Sequence, residues 1–177
     1  KGSRLESEGN PPVRNATRTT IAPTGSLSII AGCSGGIEPL YGVVFSRNLL
    51  EGLRLTEVHP LFLEMAHQRG IDVAKMRRKL ASAESIQDIS GIPKEMKRIF
   101  VTAFDVAPPW HVRMQAIFQK HVDNAVSKTI NLPPRATRQD VASAFLEAYR
   151  LGCKGITVYR SGSRKDQVLT CANVVYC

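Results

Sequence analysis

Several patterns that identify common classes of protein are missing from this sequence. It contains no run of about 18 apolar residues, the length that a transmembrane helix needs. The first residues, Lys1 to Arg4, do not lead into an apolar signal segment, and this predicts a cytoplasmic protein. Aromatic residues make up 6% of the chain and do not alternate with basic ones, which argues against a nucleic-acid-binding module.

The common metal-binding and nucleotide-binding signatures are also missing. The four cysteines form no CxxC pair and the four histidines show neither HxxxH nor HExxH spacing, so no metal site is expected. The chain has neither the GxxxxGKS/T loop of P-loop proteins nor the GxGxxG turn of dinucleotide-binding folds. A nucleotide site would therefore need another kind of loop.

The composition fits one basic domain with a substantial core. The chain has 177 residues, of which 43% are apolar. Its 24 lysines and arginines exceed the 15 acidic residues, giving a net charge of +9. A positively charged surface attracts phosphate groups on nucleotides and on nucleic acids alike.

Hydrophobic periodicity predicts an α/β fold. The predicted elements of the first two thirds are strands over 41–47 and 53–58 and helices over 60–70, 73–81 and 93–100. Pro108 and Pro109 open a further helix, because proline suits the first helical turn. Trp110, Met114 and Ile117 recur at helical spacing within it.

The last third of the chain has a strand–helix–strand pattern. Alternating apolar residues predict a strand over 126–132, in which Lys128 is the exception to the alternation. Thr137 and Asp140 have the spacing of a capping box and begin a helix that Gly152 ends. A second strand is predicted over 156–160. A helical connection of this kind normally joins two parallel strands.

Hydroxyl residues and a glycine are concentrated in the stretch Pro23-Thr24-Gly25-Ser26-Leu27, just before an apolar run. Serine and threonine are common helix caps, so the stretch could simply begin a helix. Alternatively, the unpaired N–H groups of the first helical turn could bind a phosphate, assisted by the Thr24 and Ser26 hydroxyls. Gly25 would let such a ligand approach the backbone closely. The composition leaves both readings open.

Longer stretches around this loop resemble the C-terminal half of the catalytic barrel of ribonucleotide reductases, and most closely their adenosylcobalamin-dependent class. The similar stretches follow the family's order from about Arg14 to Leu169 and are RNATRTTIAPTGSLSIIAG, GIEPLYG, LTEVHPLF, PPWHVRMQAIFQKHVDNAVSKTINLP and LEAYRLGCKGITVYRSGSR. The resemblance implies the C-terminal part of a ten-stranded α/β barrel, incomplete in this chain, over residues 1–169. A short irregular tail over 170–177 is expected to follow.

The resemblance also implies a function. The family reduces ribonucleotides to 2′-deoxyribonucleotides by radical chemistry, supplying DNA precursors. The family's loop that matches Pro23, Thr24, Gly25, Ser26 and Leu27 holds the substrate's phosphates at a helix N-terminus. The implied cofactor is adenosylcobalamin, with most of its contacts outside this chain. The implied partners are a ribonucleoside di- or triphosphate, a thioredoxin-type reductant and the N-terminal half of the barrel.

The cysteines of this chain do not correspond to the catalytic cysteines of the family. The radical cysteine and the reducing cysteine pair lie N-terminal to the matched region, so the resemblance implies no catalytic cysteine within these 177 residues. Cys33 and Cys153 are interpreted as structural thiols, since free cysteine often behaves as a small buried hydrophobe. Cys171 and Cys177 are candidates for a C-terminal redox pair.

Tyr159 bears on the choice of class. Reductases of the oxygen-dependent class carry two adjacent tyrosines on the matching strand, which relay the radical, whereas here Tyr159 stands alone. This difference favours the cobalamin class. Tyr159 is itself either a catalytic residue or a packing residue at a strand end. On this interpretation the chain is a fragment of a longer enzyme, one subunit of a split enzyme, or a non-catalytic nucleotide-binding remnant.

Overall fold

The α/β class is confirmed by the computed structural model, which describes residues 4–48, 54–83, 85–163 and 169–170. Its helices are α1 (Arg4–Ser7), α2 (Gly25–Ala31), α3 (Pro60–Gln68), α4 (Val73–Ser82), α5 (Lys94–Ile99), α6 (Pro108–Gln119) and α7 (Arg138–Arg150). Its strands are β1 (Val44–Asn48), β2 (Arg54–Val58), β3 (Thr129–Leu132), β4 (Thr157–Arg160) and β5 (Leu169–Thr170). Within these ranges no helix is both long enough and apolar enough to cross a bilayer.

One sheet is antiparallel and has the strand order β2-β1-β5. Strand β1 pairs with β2 so that Val44 lies opposite Val58 and Asn48 opposite Arg54. The two strands predicted in this region are therefore confirmed, and they form a hairpin pair. The short strand β5, which no pattern predicted, pairs with β1 at Arg47. It places Thr170 in a strand, whereas the rest of the predicted tail, 171–177, lies outside the described residues.

The second sheet consists of β3 and β4, which are parallel and joined through α7. Their pairing confirms the predicted strand–helix–strand unit. The capping box at the start of α7 is confirmed as well. The Asp140 N–H donates to Thr137 Oγ1 at 3.2 Å, and the Thr137 N–H donates to Asp140 Oδ2 at 2.7 Å. These bonds satisfy N–H groups that have no partner inside the helix.

Two single bridges extend the parallel arrangement beyond the named strands. Ile21 pairs with Val126 and Leu40 pairs with Thr102. At the first bridge the Ser127 N–H donates to the carbonyl of Ile21 at 2.8 Å. The segment that ends at Ile21 thus runs beside the segment that leads into β3, and the residues after Ile21 emerge near the start of β3.

Among the described residues, most of the buried apolar side chains belong to one of two clusters. The first surrounds α3, α4 and α5, where the rings of Phe62 and Phe100 meet edge to face at 5.2 Å. The second lies between β3 and the helices α6 and α7 and includes Ile130, Leu132 and Ala144. Ile130 is 0% exposed, which is typical of a parallel strand that is covered by helices. This second cluster supports the sheet beside which the candidate loop emerges.

The buried face of α6 differs from the one that its apolar spacing suggests. Trp110, Met114 and Ile117, which predicted the helix, are 62%, 45% and 57% exposed. The buried face instead carries polar and small residues, namely His111, Val112, Gln115, Ala116 and Gln119. The buried polar side chains of this face bond to backbone carbonyl groups outside the helix. The helix was predicted correctly, but its apolar spacing did not predict which face is buried.

Candidate functional site

The stretch Pro23–Leu27 leads into α2, as the sequence predicted. The first backbone hydrogen bond of this helix runs from the Ser28 N–H to the Thr24 carbonyl, at 2.8 Å. The N–H groups of Gly25, Ser26 and Leu27 therefore precede the first intrahelical bond. All three residues are exposed. The arrangement presents partly positive N–H groups to solvent at the start of a helix.

Thr24 has an unusual backbone conformation. Its φ angle is +51°, in the left-handed region, and Thr24 is the one non-glycine residue with positive φ among those described. A β-branched residue is strongly disfavoured there because its Cβ crowds the backbone. Strained backbone of this kind persists only where the surroundings hold it, and it is concentrated at functional sites. Thr24 is half-buried, so its surroundings can supply that constraint.

Gly35 and Gly36 pack closely against this loop. A Cβ atom on Gly35 would lie 2.8 Å from the carbonyl oxygen of Pro23 and 3.3 Å from Thr24 Oγ1. A Cβ atom on Gly36 would lie 2.9 Å from the carbonyl oxygen of Ala22. Only glycine permits such close approach of two backbone segments. The chain that returns from α2 thus packs directly against the loop.

The segment before the loop is fixed by Asp123. Its Oδ2 accepts hydrogen bonds from the N–H groups of Arg18 at 2.8 Å and Thr19 at 3.0 Å, and from Thr19 Oγ1 at 3.1 Å. These donors stabilise the carboxylate and lower the pKa of Asp123, the N–H of Arg18 having the largest effect. Together with the bridge at Ile21, they hold the approach to the loop against the chain that precedes β3.

A carboxylate–ammonium pair lies where the loop region meets β3. Lys128 Nζ is 2.5 Å from Glu38 Oε2, and the Lys128 side chain is 2% exposed. The backbone N–H of Thr129 donates to Glu38 Oε1, also at 2.5 Å. Lys128 is a partial signal of this pair in the sequence, because it interrupts an apolar alternation. It did not indicate which of the 15 acidic residues would be the partner.

His111 lies on the buried side of α6, where the charges of Lys128 and Glu38 influence its pKa. Its Nε2 lies 3.0 Å from the carbonyl oxygen of Ala103. Burial lowers the pKa of His111, and the positive charge of Lys128 lowers it further. These two effects disfavour the charged imidazolium form of His111. The imidazole joins α6 to the segment that pairs with Leu40.

The other candidate residues lie elsewhere in the fold. Tyr159 is in β4 opposite Asn131 of β3, and its hydroxyl oxygen is buried. Cys153 is half-buried just before β4, and burial raises the pKa of its thiol, which disfavours the reactive thiolate. Cys33 is exposed after α2. The candidate redox pair, Cys171 and Cys177, lies outside the described residues.

Comparison with known proteins agrees with this architecture. Residues 4–159 match the model of the ribonucleotide reductase barrel domain. The chain belongs to the ribonucleotide reductase family. It is 50% identical over 169 residues to a protein of Thermoplasma acidophilum named vitamin B12-dependent ribonucleoside-diphosphate reductase, an alignment that covers 96% of this chain and 22% of that protein. A Mycobacterium tuberculosis protein of the same name is 45% identical over 161 residues, with 91% and 23% covered.

A solved structure shares the fold of this reductase segment. The class Id ribonucleotide reductase alpha subunit of Actinobacillus ureae superposes with a TM-score of 0.68 and 25% sequence identity, covering 89% of this chain and 28% of that one. The names of the sequence relatives confirm the resemblance to the cobalamin class. The chain spans 22% and 23% of the two relatives, so it corresponds to less than a quarter of either protein.

Proposed function

We propose that this chain forms the substrate-phosphate-binding part of a cobalamin-dependent ribonucleotide reductase. The loop Pro23–Leu27 would bind the phosphates of a ribonucleoside di- or triphosphate through the N–H groups of Gly25, Ser26 and Leu27. The observation that carries this proposal is the loop itself, with exposed N–H groups at the start of α2 and with Thr24 held at a φ angle of +51°.

Four physical features support an anion at this position. The N–H groups point along the start of a helix, where the partial positive charge of the helix dipole is found. The space above Gly25 is open, since nothing lies within 4 Å of the position that a Cβ atom would take. The Thr24 and Ser26 hydroxyls lie beside these N–H groups in the sequence and can add two donors. The net charge of +9 favours the approach of a polyanion.

The proposed reaction replaces the 2′-hydroxyl of the substrate by hydrogen. The hydroxyl leaves as water, and a dithiol supplies two electrons and two protons and becomes a disulfide. Adenosylcobalamin, when bound, supplies the radical that starts this chemistry. The radical cysteine, the reducing cysteine pair and most cobalamin contacts would be supplied from outside these 177 residues.

The loop region does not have the surface that a corrin cofactor needs. A corrin is a large disc that requires an extensive apolar face, whereas the loop region presents exposed backbone N–H groups and hydroxyls. We therefore assign none of the residues Pro23–Leu27 to cobalamin. The contribution of this chain would be to orient the substrate, because fixing the phosphates positions the ribose for reaction.

Calorimetric titration of the full-length protein with a ribonucleoside diphosphate, and separately with inorganic pyrophosphate, tests the phosphate site. Both should bind, and the unphosphorylated ribonucleoside should bind far more weakly. Ser26→Ala should weaken both phosphate ligands by about tenfold, because a hydroxyl bond to a charged group is lost. The matched control is Ser143→Ala, which removes an exposed hydroxyl on α7. Equal affinity for nucleoside and nucleotide would contradict the proposal.

Activity separates the proposed reductase from a nucleotide-binding remnant. The full-length protein should convert a ribonucleotide to its 2′-deoxy form when adenosylcobalamin and a dithiol are added. Binding of the diphosphate without any reduction, even in the presence of the remaining part of the barrel, would instead identify a non-catalytic remnant. The di- and triphosphate should be compared in the same assay, because the N–H groups of the loop can accommodate either.

A further inference from the structure

The loop Pro23–Leu27 packs against a tight turn that begins at Gly35. Gly35 and Gly36 approach the carbonyl oxygens of Pro23 and Ala22 so closely that a Cβ atom on either glycine would lie within 2.9 Å of one of these oxygens. The Glu38 N–H donates to the Gly35 carbonyl at 3.0 Å, which closes the turn. Any displacement of this turn would therefore shift the backbone of the loop.

Glu38 joins this turn to β3. Its Oε1 accepts the backbone N–H of Thr129 at 2.5 Å, and its Oε2 accepts the ammonium of Lys128 at 2.5 Å. One carboxylate thus bonds to two successive residues, about 90 positions further along the chain, at the start of β3. A second bond from Lys128, to the Thr129 carbonyl at 3.2 Å, fixes the ammonium in place.

The burial of Lys128 makes this geometry specific. The Lys128 side chain is 2% exposed and that of Glu38 is 27% exposed, so the ammonium has left water and needs a charged partner. A buried ion pair often adds little net stability, but it strongly disfavours arrangements that separate the charges. The pair can therefore define a position rather than supply net stability.

We propose that Glu38 is a positioning residue for the phosphate loop. It holds the turn Gly35–Glu38 against the start of β3. Through its contact with the loop, this turn keeps the N–H groups of Gly25, Ser26 and Leu27 in the geometry that binds phosphate. Glu38 does not itself touch the ligand. This inference rests on the proposed phosphate site. It adds a residue that influences the site only through the backbone that supports the loop.

The test is designed to separate positioning from stability. Glu38→Ala leaves the Lys128 charge buried without its partner, so loss of pyrophosphate binding in that variant could reflect unfolding. The double variant Glu38→Ala/Lys128→Met removes the buried charge as well and should restore the thermal unfolding midpoint. If Glu38 positions the loop, pyrophosphate affinity should remain about tenfold or more below that of the wild type in the double variant, because misplaced donors bind poorly.

Calorimetric titration of the full-length protein with inorganic pyrophosphate, alongside thermal unfolding, supplies both readouts. Glu95→Ala is the matched control, since it breaks the exposed ion pair with Arg69 and should leave pyrophosphate affinity unchanged. Wild-type affinity in the stable double variant would overturn the positioning role and leave the phosphate site intact. Failure of the wild-type protein to bind pyrophosphate would overturn the phosphate site and this proposal with it.

Discussion

The side-chain amide of Gln115 lies 2.7 Å from the carbonyl oxygen of Gly155, to which its Nε2 donates. The same nitrogen also donates to the Val126 carbonyl, at 3.3 Å. Gln115 is 0% exposed on the buried side of α6. Its two bonds connect the segment that precedes β3 to the segment that precedes β4. One turn later, Gln119 bonds to the Asn124 carbonyl at 2.8 Å. The two glutamines thereby fix where these parallel strands begin.

Gln115→Ala should lower the free energy of unfolding by about 1–3 kcal/mol, because the buried carbonyl of Val126 and the part-buried carbonyl of Gly155 lose their donor. Chemical denaturation monitored by circular dichroism measures this change. Gln139→Ala, an exposed glutamine on α7, should have an effect within about 0.5 kcal/mol. A similar, small loss in both variants would show that the amide of Gln115 does not stabilise the strands.

Ile130 and Ile117 offer a direct comparison of burial. Ile130 is 0% exposed in β3, whereas Ile117 is 57% exposed on α6. Ile130→Ala should cost about 2–5 kcal/mol, because it opens a cavity in the core, and Ile117→Ala should cost less than about 1 kcal/mol. Urea denaturation of the two variants tests the orientation of α6. A large loss for Ile117→Ala would mean that the apolar stripe of α6 is buried.

Stability should depend on the ionisation of Asp123 under acidic conditions. Hydrogen bonds from Arg18 and Thr19 lower the pKa of this carboxyl below its ordinary value of 3.8 in the folded protein. The unfolded chain therefore takes up the proton first as the pH falls. The contribution of Asp123 is complete above about pH 4 and is lost as the pH falls from there through the folded pKa.

The Asp123→Asn variant tests this pH dependence. The difference in thermal midpoint between wild type and variant should be largest near neutral pH and should shrink as the pH falls below about 4. Differential scanning calorimetry over that range provides the measurement. A difference that stays constant with pH would mean that the charge of Asp123 is unimportant and that only the shape of its side chain matters.

The left-handed conformation of Thr24 predicts that replacing it by glycine changes stability and phosphate binding in opposite directions. Thr24→Gly relieves about 1–2 kcal/mol of strain and costs about 0.5–1 kcal/mol of backbone entropy, so the variant should be as stable as the wild type or up to about 1.5 kcal/mol more stable. Thr24→Ala keeps the Cβ atom and should show no such gain. Pyrophosphate affinity should fall in both variants, because both lose the hydroxyl. Destabilisation by glycine would show that the conformation carries no strain.

Local signals in the sequence predicted the helices from α2 to α7, most of the strands and the start of the candidate loop, but not the short helix α1. The capping box at Thr137 and Asp140 and the prolines at the start of α6 each act on backbone groups within a few positions. Such signals do not depend on the rest of the fold. The family resemblance added the proposed role of the loop, which stays a prediction.

The tertiary structure alone decided which distant groups meet. Glu38 and Lys128 are 90 positions apart, and Gln115 and Gly155 are 40 apart, so no local pattern relates them. The apolar spacing on α6 did not reveal its buried face, on which Gln115 and Gln119 bond to backbone carbonyls while Trp110 is exposed. Buried polar groups must find partners, and the topology of the barrel segment determines which partners are within reach.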